Sequence, residues 1–340
     1  MNSPFVLRKQ VSAAHRRRYA PGLLGCIVIA ATAACSGQSA DSGSTVPPAP
    51  AISAEVTEAT PTTSAGGDLP SGPALVLANH SLLQFVAPEG KLLAAREYPG
   101  SGRPITDLDK ASLDPSYTKI ASLGEPVPYK ATAMSYDAGY ITFDGEFHPV
   151  TPAQGSYAKR RLYTGVLFIG DQLAVAVDNT TLVWAASGEP VPGYPDLTGI
   201  GGDGYVGPAC VLDTVTRGQV CEEDGRITVT ISKSSRSTFG KDVPAGPVLG
   251  VARDGSAIVR SPDDRLYSVS RSSGAVRALT PESDFVPSSA AVSPDGGTVA
   301  FTADRDSSTA LFLVPASGGA PARVPGFTPS PGVRLRSWLG

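Results

Sequence analysis

The sequence predicts an all-β chain assembled from small antiparallel sheets. Three observations predict it: a complete four-stranded meander near the C-terminus, weaker copies upstream, and a composition rich in turn formers, with 37 glycines and 31 prolines and no long helical stripe outside the leader. The meander runs from Ala290 to Val324, AAVSPDGGTVAFTADRDSSTALFLVPASGGAPARV. Ala290 to Val292 is a short apolar strand, Ser293 to Gly297 is a turn whose glycines accept positive φ, and Thr298 to Ala303 alternates as a half-buried strand does. Asp304 to Ser308 turns the chain again, Thr309 to Val314 is a third strand, Ser317-Gly318-Gly319 is a third turn, and Ala322 to Val324 is the fourth strand.

The copies emerge when the turn aspartate serves as a register mark. Ala133 to Phe143 aligns without gaps on Ala291 to Phe301, carrying Asp137 onto Asp295 across 158 positions. Val251 to Ile258 aligns on Val292 to Val299, carrying Asp254 onto Asp295 across 41 positions. Both displacements are multiples of about 40 residues, the period of propeller blades. Asp137, Asp254, Asp295 and Gly296 are thus the expected turn residues of a repeated sheet.

SPDGGTVAFTADRD followed by LFLVPASGGAPARV resembles the propeller repeat of TolB-like proteins, in which a Ser-Pro-Asp-Gly turn, an apolar strand and an Asp-rich hairpin recur in each blade. The resemblance implies a β-propeller and covers the propeller alone. Nothing in the chain resembles the separate α/β domain of TolB proper, so no partner-binding residue is carried over.

Counting sheets gives six blades, with seven as the fallback. Five contiguous units begin near Lys130, Thr164, Asp203, Pro247 and Ser288, and the sixth is divided between the ends of the chain. Val333 to Trp338 matches a first strand, Ala74 to Ala78 a second, Leu82 to Val86 a third and Leu92 to Glu97 a fourth. Pairing of the N- and C-terminal strands in one blade would close the ring, because a ring of sheets buries its faces only if the first and last meet. Pro99 to Tyr129 is either an insertion on one face or a degraded seventh blade, and long insertions on rigid scaffolds often carry function.

Residues 1–34 read as an export signal. Arg8, Lys9, Arg16, Arg17 and Arg18 precede the apolar run Gly22 to Ala31, which is shorter than the roughly 20 residues a permanent span needs. Thr32-Ala33-Ala34-Cys35 resembles a bacterial lipobox, which implies diacylation of Cys35; Thr32 departs from the usual aliphatic residue. The other reading is ordinary cleavage after Ala31-Thr32-Ala33, leaving Cys35 a free thiol. Arg16-Arg17-Arg18-Tyr19 also resembles a loose twin-arginine signal, so general and folded-state export both stay open. Residues 35–71 form a Pro-, Ser-, Thr- and Ala-rich tether with too little apolar surface to offset ordering, and 72–340 form the propeller domain.

Removing the five basic residues of the leader leaves 23 basic against 31 acidic ones, a formal charge of −8. That balance argues against a nucleic-acid partner. Cys26 leaves with the leader and Cys35 is the lipid site, so Cys210 and Cys221 are expected to pair in an oxidising compartment. His80 and His148 are the only histidines beyond the leader, which disfavours a multi-His metal centre, and no G-x-S-x-G elbow is present. Gly199 to Gly204 satisfies G-x-G-x-x-G but lacks the strand-to-helix context that gives that motif meaning. The acid pairs Asp107/Asp109, Asp263/Asp264 and Asp304/Asp306 are read as hairpin-shaping residues rather than calcium ligands. Trp184 and Trp338 are read as core, and Lys130, Asp203, Ser288 and Arg334 as channel-lining positions.

The expectation is therefore an exported monomer, held by its lipid on the extracytoplasmic face of the cell membrane, whose propeller binds an envelope protein or glycan without catalysis, cofactor or metal. The alternatives are an envelope enzyme, a lactonase-like or glycan-cleaving propeller, and a small-ligand sensor using the central channel.

Overall fold

The computed structural model describes residues 69–98, 108, 111–130, 133–151, 163–177, 180–185, 188–189, 210–213, 218–232 and 235–340. The leader, Cys35, most of the tether, Asp203 and the Gly199 to Gly204 run lie outside these residues.

The repeated turn forms as its chemistry dictates. Gly296 N donates to Ser293 O at 2.8 Å and Gly255 N to Ala252 O at 2.8 Å, and both glycines have positive φ, 75° and 80°. Asp295 Oδ1 accepts from Gly297 N and Asp254 Oδ1 from Ser256 N, each at 2.9 Å, the Asx pattern that lets a short side chain stand in for backbone. Around the first turn stand β18 (Val286–Val292), β19 (Thr298–Arg305), β20 (Ser308–Pro315) and β21 (Ala322–Arg323). Around the second stand β14 (Val248–Val251), β15 (Ala257–Arg260), β16 (Leu266–Val269) and β17 (Val276–Ala278). The sheet before them is β10 (Cys210–Asp213), β11 (Gly218–Glu223), β12 (Arg226–Ser232) and β13 (Ser235–Phe239). First strands thus start at Cys210, Val248 and Val286, a step of 38 residues each time.

Two sheets are shorter. β4 (Lys119–Lys130), β5 (Ala133–Thr142) and β6 (Phe147–Pro149) form one; β7 (Tyr163–Ile169), β8 (Gln172–Val177) and β9 (Thr180–Ala185) form the other. The sixth sheet joins the ends of the chain in the order β22-β1-β2-β3, with β1 (Ala74–Asn79), β2 (Leu82–Val86), β3 (Leu92–Glu97) and β22 (Arg334–Leu339). Ala74 faces Leu339 and Ala78 faces Arg334 across the closing pair, as the sequence predicts.

The closing strand β1 shows why the sheets form a ring. Alternate residues of a strand point to opposite faces. Leu75 and Leu77 pack with Ala291, Ala300 and Leu311 of the preceding sheet, whereas Ala74, Val76 and Ala78 belong to the core shared with Ile120 and Ile141 of the following one. Ala74 to Ala78 are each 0% exposed. Comparable apolar cores join β4–β6 to β7–β9, β10–β13 to β14–β17, and β14–β17 to β18–β21. Antiparallel sheets of meander connectivity, with five of the six successive junctions carrying a shared apolar core among the described residues and the last sheet packed against the first, make a β-propeller.

Among the described residues four sheets have four strands and two have three, and five sheets are contiguous in sequence while the sixth is shared by the ends. The segments after β6 and β9, where the fourth strands of the two shorter sheets are expected, lie largely outside the described residues. The unit expected near Lys130 starts earlier, at Lys119, because GEPVPYK continues β4 despite its prolines. Asp137 is also corrected: it lies inside β5, not in a turn. The register slips between Leu123 and Pro126, so β4 carries an extra residue opposite Asp137. A bulge on the partner strand absorbs the irregularity that the Ser-Tyr-Asp-Ala-Gly string suggested was a reversal.

Cys210 and Cys221 are register partners on β10 and β11 and form a disulfide, with Cα atoms 4.3 Å apart. Constraining so short a loop contributes about 2 to 3 kcal/mol. The Cys221→Ser protein is expected to melt roughly 5 to 10 °C lower than the oxidised parent. Reductant should bring the parent down to the variant's melting temperature; an unchanged melt in both would show that the bridge contributes nothing.

Candidate functional site

A propeller offers two loop faces. One carries the turns between first and second strands, and here also the point where the chain enters the ring, since Ala74 lies beside Leu339 at the end of β22. The opposite face carries the turns between second and third strands and the connections between sheets. Most of the described arginine–carboxylate pairs lie there.

On that far face, the seam between β18–β21 and β22 is a chain of polar contacts. Arg334 Nη1 lies 3.1 Å from Asp304 Oδ2, and Thr309 Oγ1 donates to Asp304 Oδ1 at 2.6 Å. Thr309 Oγ1 also accepts from Gly332 N at 3.0 Å. Deeper in the seam Ser289 Oγ accepts from Leu335 N at 2.7 Å and bonds the hydroxyl of Thr302, which is fully buried. Ser288 Oγ donates to Thr302 O at 3.3 Å. Of the positions expected to line the channel, Arg334 binds Asp304 across the seam, whereas Ser288 bonds Thr302 within its own sheet. Lys130 stands at the far end of β4, away from this face.

The neighbouring loops repeat the pairing. Arg305 Nη1 lies 3.4 Å from Asp284 and its guanidinium 5.7 Å above the Phe285 ring. Arg265 reaches Asp263 at 3.1 Å and Glu282 at 3.0 Å, and Arg260 reaches Asp264 at 3.7 Å while donating to Pro287 O at 2.9 Å. Val286, 37% exposed, sits among them. The acid pairs Asp263/Asp264 and Asp304/Asp306 thus meet arginines as well as shaping their hairpins. Among the described residues no group of three or more His, Cys, Asp or Glu is placed to hold a metal ion. His148 stacks on Tyr140 at 5.0 Å, with Lys119 Nζ 5.1 Å from the centre of the same ring. Trp338 packs at the edge of the core that holds Leu75 and Leu77, and Trp184 pairs in register with Leu173.

A strap missed by sequence reasoning runs from Ala111 to Lys119. Asp114 accepts from Thr118 N and Lys119 N, both at 2.7 Å, and from the Ser116 hydroxyl. This holds Tyr117 at φ 53°. The Tyr117 carbonyl accepts from the 3% exposed Arg96 at 2.5 Å, and its phenol bonds the Ser337 hydroxyl of β22. Arg336 Nη2 donates to Ala111 O at 2.6 Å, and Phe168 N to Ser112 Oγ at 2.7 Å. The strap therefore ties the closing sheet to both short sheets. Burial pushes the Tyr117 phenol above its ordinary value. The Asp-x-Ser-x-Thr spacing was the one signal present, and it marks a local Asx turn without naming distant partners.

Hydroxyl donors hold several turn carboxyls below their ordinary value: Thr142 for Asp144, Ser261 for Asp263 and Ser293 for Asp295. Backbone N–H groups of Glu146 and Gly297 add to the effect at Asp144 and Asp295. With the folded values depressed, the unfolded chain takes up more protons as pH falls. Their contribution is present in full above the ordinary carboxylate range, about pH 4, and is lost as pH falls through the folded values. The urea midpoint is expected to drop on acidification from about pH 5 to about pH 2, and the D144N/D263N/D295N protein to drop less. Parallel curves for the two proteins would refute the assignment.

No protein-family model and no curated protein sequence matches the chain. Among solved structures, the crystal structure of TolB from Acinetobacter baumannii is similar at 14% identity and a TM-score of 0.43, over 78% of this chain and 66% of that one. A structure of the nidogen/laminin complex is similar at 12% identity and a TM-score of 0.42, over 78% of this chain and 98% of that one. A functionally unknown protein from Desulfotomaculum acetoxidans is similar at 13% identity and a TM-score of 0.37, over 78% of this chain and 89% of that one. The chain thus spans just under two thirds of the TolB chain. The propeller is read from the sheets, their regular step and their shared cores, not from these likenesses.

Proposed function

We propose that the chain is an exported lipoprotein whose TolB-like propeller is a non-catalytic platform for an envelope protein or glycan. The six sheets are six blades, Cys35 carries the lipid, and residues 36–71 tether the ring to the extracytoplasmic face of the membrane. Residues 72–340 are the binding domain. The observation that carries the reading is the far face, where Asp304, Asp284, Asp263 and Asp264 are each matched to an arginine fixed on the ring. Fixed charges of both signs around an exposed Val286 suit recognition of a partner surface, whereas acid–base catalysis uses carboxyls aimed at one reacting centre. The Cys210–Cys221 bridge supports an oxidising compartment.

The test uses full-length protein from envelopes. Intact mass is expected to show a diacyl group that Cys35→Ala abolishes. A photocrosslinker at Asp306 on the far face is expected to capture one defined envelope component, which Arg305→Glu releases. An unmodified mass for the parent would end the lipoprotein reading. Labelling that is equal from both faces, or insensitive to Arg305→Glu, would end the platform reading.

A further inference from the structure

The strap from Ala111 to Lys119 lies against strand edges that a propeller ordinarily leaves open. β4, β7, β14, β18 and β22 each stand first in their sheets. First strands of neighbouring sheets approach one another, β18 beside β22 and β4 beside β7, so their free edges face the axis of the ring. Every backbone N–H on such an edge needs an acceptor, from water or from protein.

On β4 and β7 the acceptor is the strap. Leu113 bridges Ile120 in antiparallel register, Ala121 N donates to Ser112 O at 2.8 Å, and Asp114 N donates to Lys119 O at 3.1 Å. These bonds run along the edge of β4 that β5 does not use. Ser112 Oγ accepts from Phe168 N at 2.7 Å, on the first strand of the next sheet. Ala111 O accepts from Arg336 Nη2 at 2.6 Å, on the first strand of the preceding one. Two adjacent residues thus reach three successive first strands, β22, β4 and β7, which places them inside the ring. Ala111 is 3% and Asp114 5% exposed, so the segment is packed in rather than bathed by water. Among the described residues no strand pairs along the free edge of β14, β18 or β22.

The strap comes in from the far face. β4 starts there at Lys119, and Leu108 N donates to His80 O at the turn between β1 and β2. Asp114 and the N–H groups of Thr118 and Lys119 that it binds form a turn at this mouth.

We infer that Ala111 to Asp114 is an internal stopper, closing the far-face mouth of the central channel along the arc from β22 to β7. It supplies acceptors to inward N–H groups that water would otherwise hold, and it fills the space a small ligand would need there. A partner on the far face meets a closed rim in this arc, and recognition falls to the loops around it. The inference concerns the ring and does not depend on the lipid anchor.

Amide hydrogen exchange on the full-length, oxidised protein reads the seal. The Phe168 and Ala121 amides are expected to exchange as slowly as those of the central strand β19. Ser112→Ala removes the Oγ acceptor and keeps the carbonyl, so Phe168 is expected to exchange roughly tenfold faster while Ala121 stays slow. A second measurement needs no variant: a neutral gadolinium chelate is expected to relax these two amides less than the inner-edge amides of β14 and β18. Fast exchange of Phe168 in the parent would mean that water fills the arc, and unchanged exchange in Ser112→Ala would mean that the strap does not hold β7. Either result overturns the stopper. Equal relaxation on β4, β7, β14 and β18 would overturn it as well, because the chelate would have reached the arc freely.

Discussion

A chain ending at Val333 is expected to lose cooperative unfolding altogether. The removed strand β22 pairs along β1 from Ala74 to Ala78. It also supplies Leu335 to the core beneath Leu75 and Leu77, the Leu335 N–H that Ser289 accepts, the Arg334 partner of Asp304, and both β22 contacts of the Ala111 to Lys119 strap. Without it, β1 loses its partner on one edge while its residues are apolar on both faces, and β18 of the preceding sheet loses the strand packed against it. Several kcal/mol of burial and hydrogen bonding leave together, comparable to the whole net stability of a domain, about 5 to 15 kcal/mol. The expected readout is a far-ultraviolet signal without a sharp thermal transition, and aggregation on concentration. A synthetic Ser330 to Gly340 peptide should restore the transition in a concentration-dependent way. A sharp transition at the parental temperature without peptide would mean that the ring holds closed by other contacts.

Gly250→Val is expected to be severely destabilising. Gly250 lies on β14, where a Cβ would stand 2.3 Å from the carbonyl oxygen of Ala290 on β18. The obstacle is backbone of the neighbouring first strand, so neither side can rotate away. Crowding of this kind costs about 3 kcal/mol or more, because the two sheets must separate and loosen the core around Ile258 and Phe301. Gly296→Ala is the control: it has φ 75° and nothing within 4 Å of the added carbon. Its cost is conformational alone, about 1 kcal/mol. Chemical denaturation should show a midpoint loss several times larger for Gly250→Val; equal losses would remove the crowding argument.

The sequence was legible where chemistry is local. Ser-Pro-Asp-Gly turns declare themselves because glycine φ and the aspartate acceptor act within five residues, and the apolar runs of β1, β19 and β20 leave little choice of burial. Closure by β22 was legible because a first strand without a second must find one. The long β4 was obscured by Pro126 and Pro128, which argue against strands except along an edge. Asp137 misled because the bulge that accommodates it belongs to the partner strand, where no string-matching looks. The strap was illegible for a related reason: Tyr117 is fixed by Arg96 and by Ser337, the second of them 220 residues away. The far-face pairs lay between. Each acidic cluster was visible, and Arg265 and Arg260 answer Asp263 and Asp264 within one hairpin, but the arginine that answers Asp304, Arg334, comes from the next sheet.

The placement of β1 has a mechanical consequence. A chain tethered at its N-terminus passes any pull on the ring into Ala74 first. That strand is central in its sheet, paired with β22 on one edge and β2 on the other, and its two faces are gripped by different blades. Load directed along the strand meets both ladders in shear, so their hydrogen bonds must yield together rather than one after another. A tether attached to an outermost strand such as β13 or β17 would peel. Attached here, it pulls on the part of the ring least able to unzip.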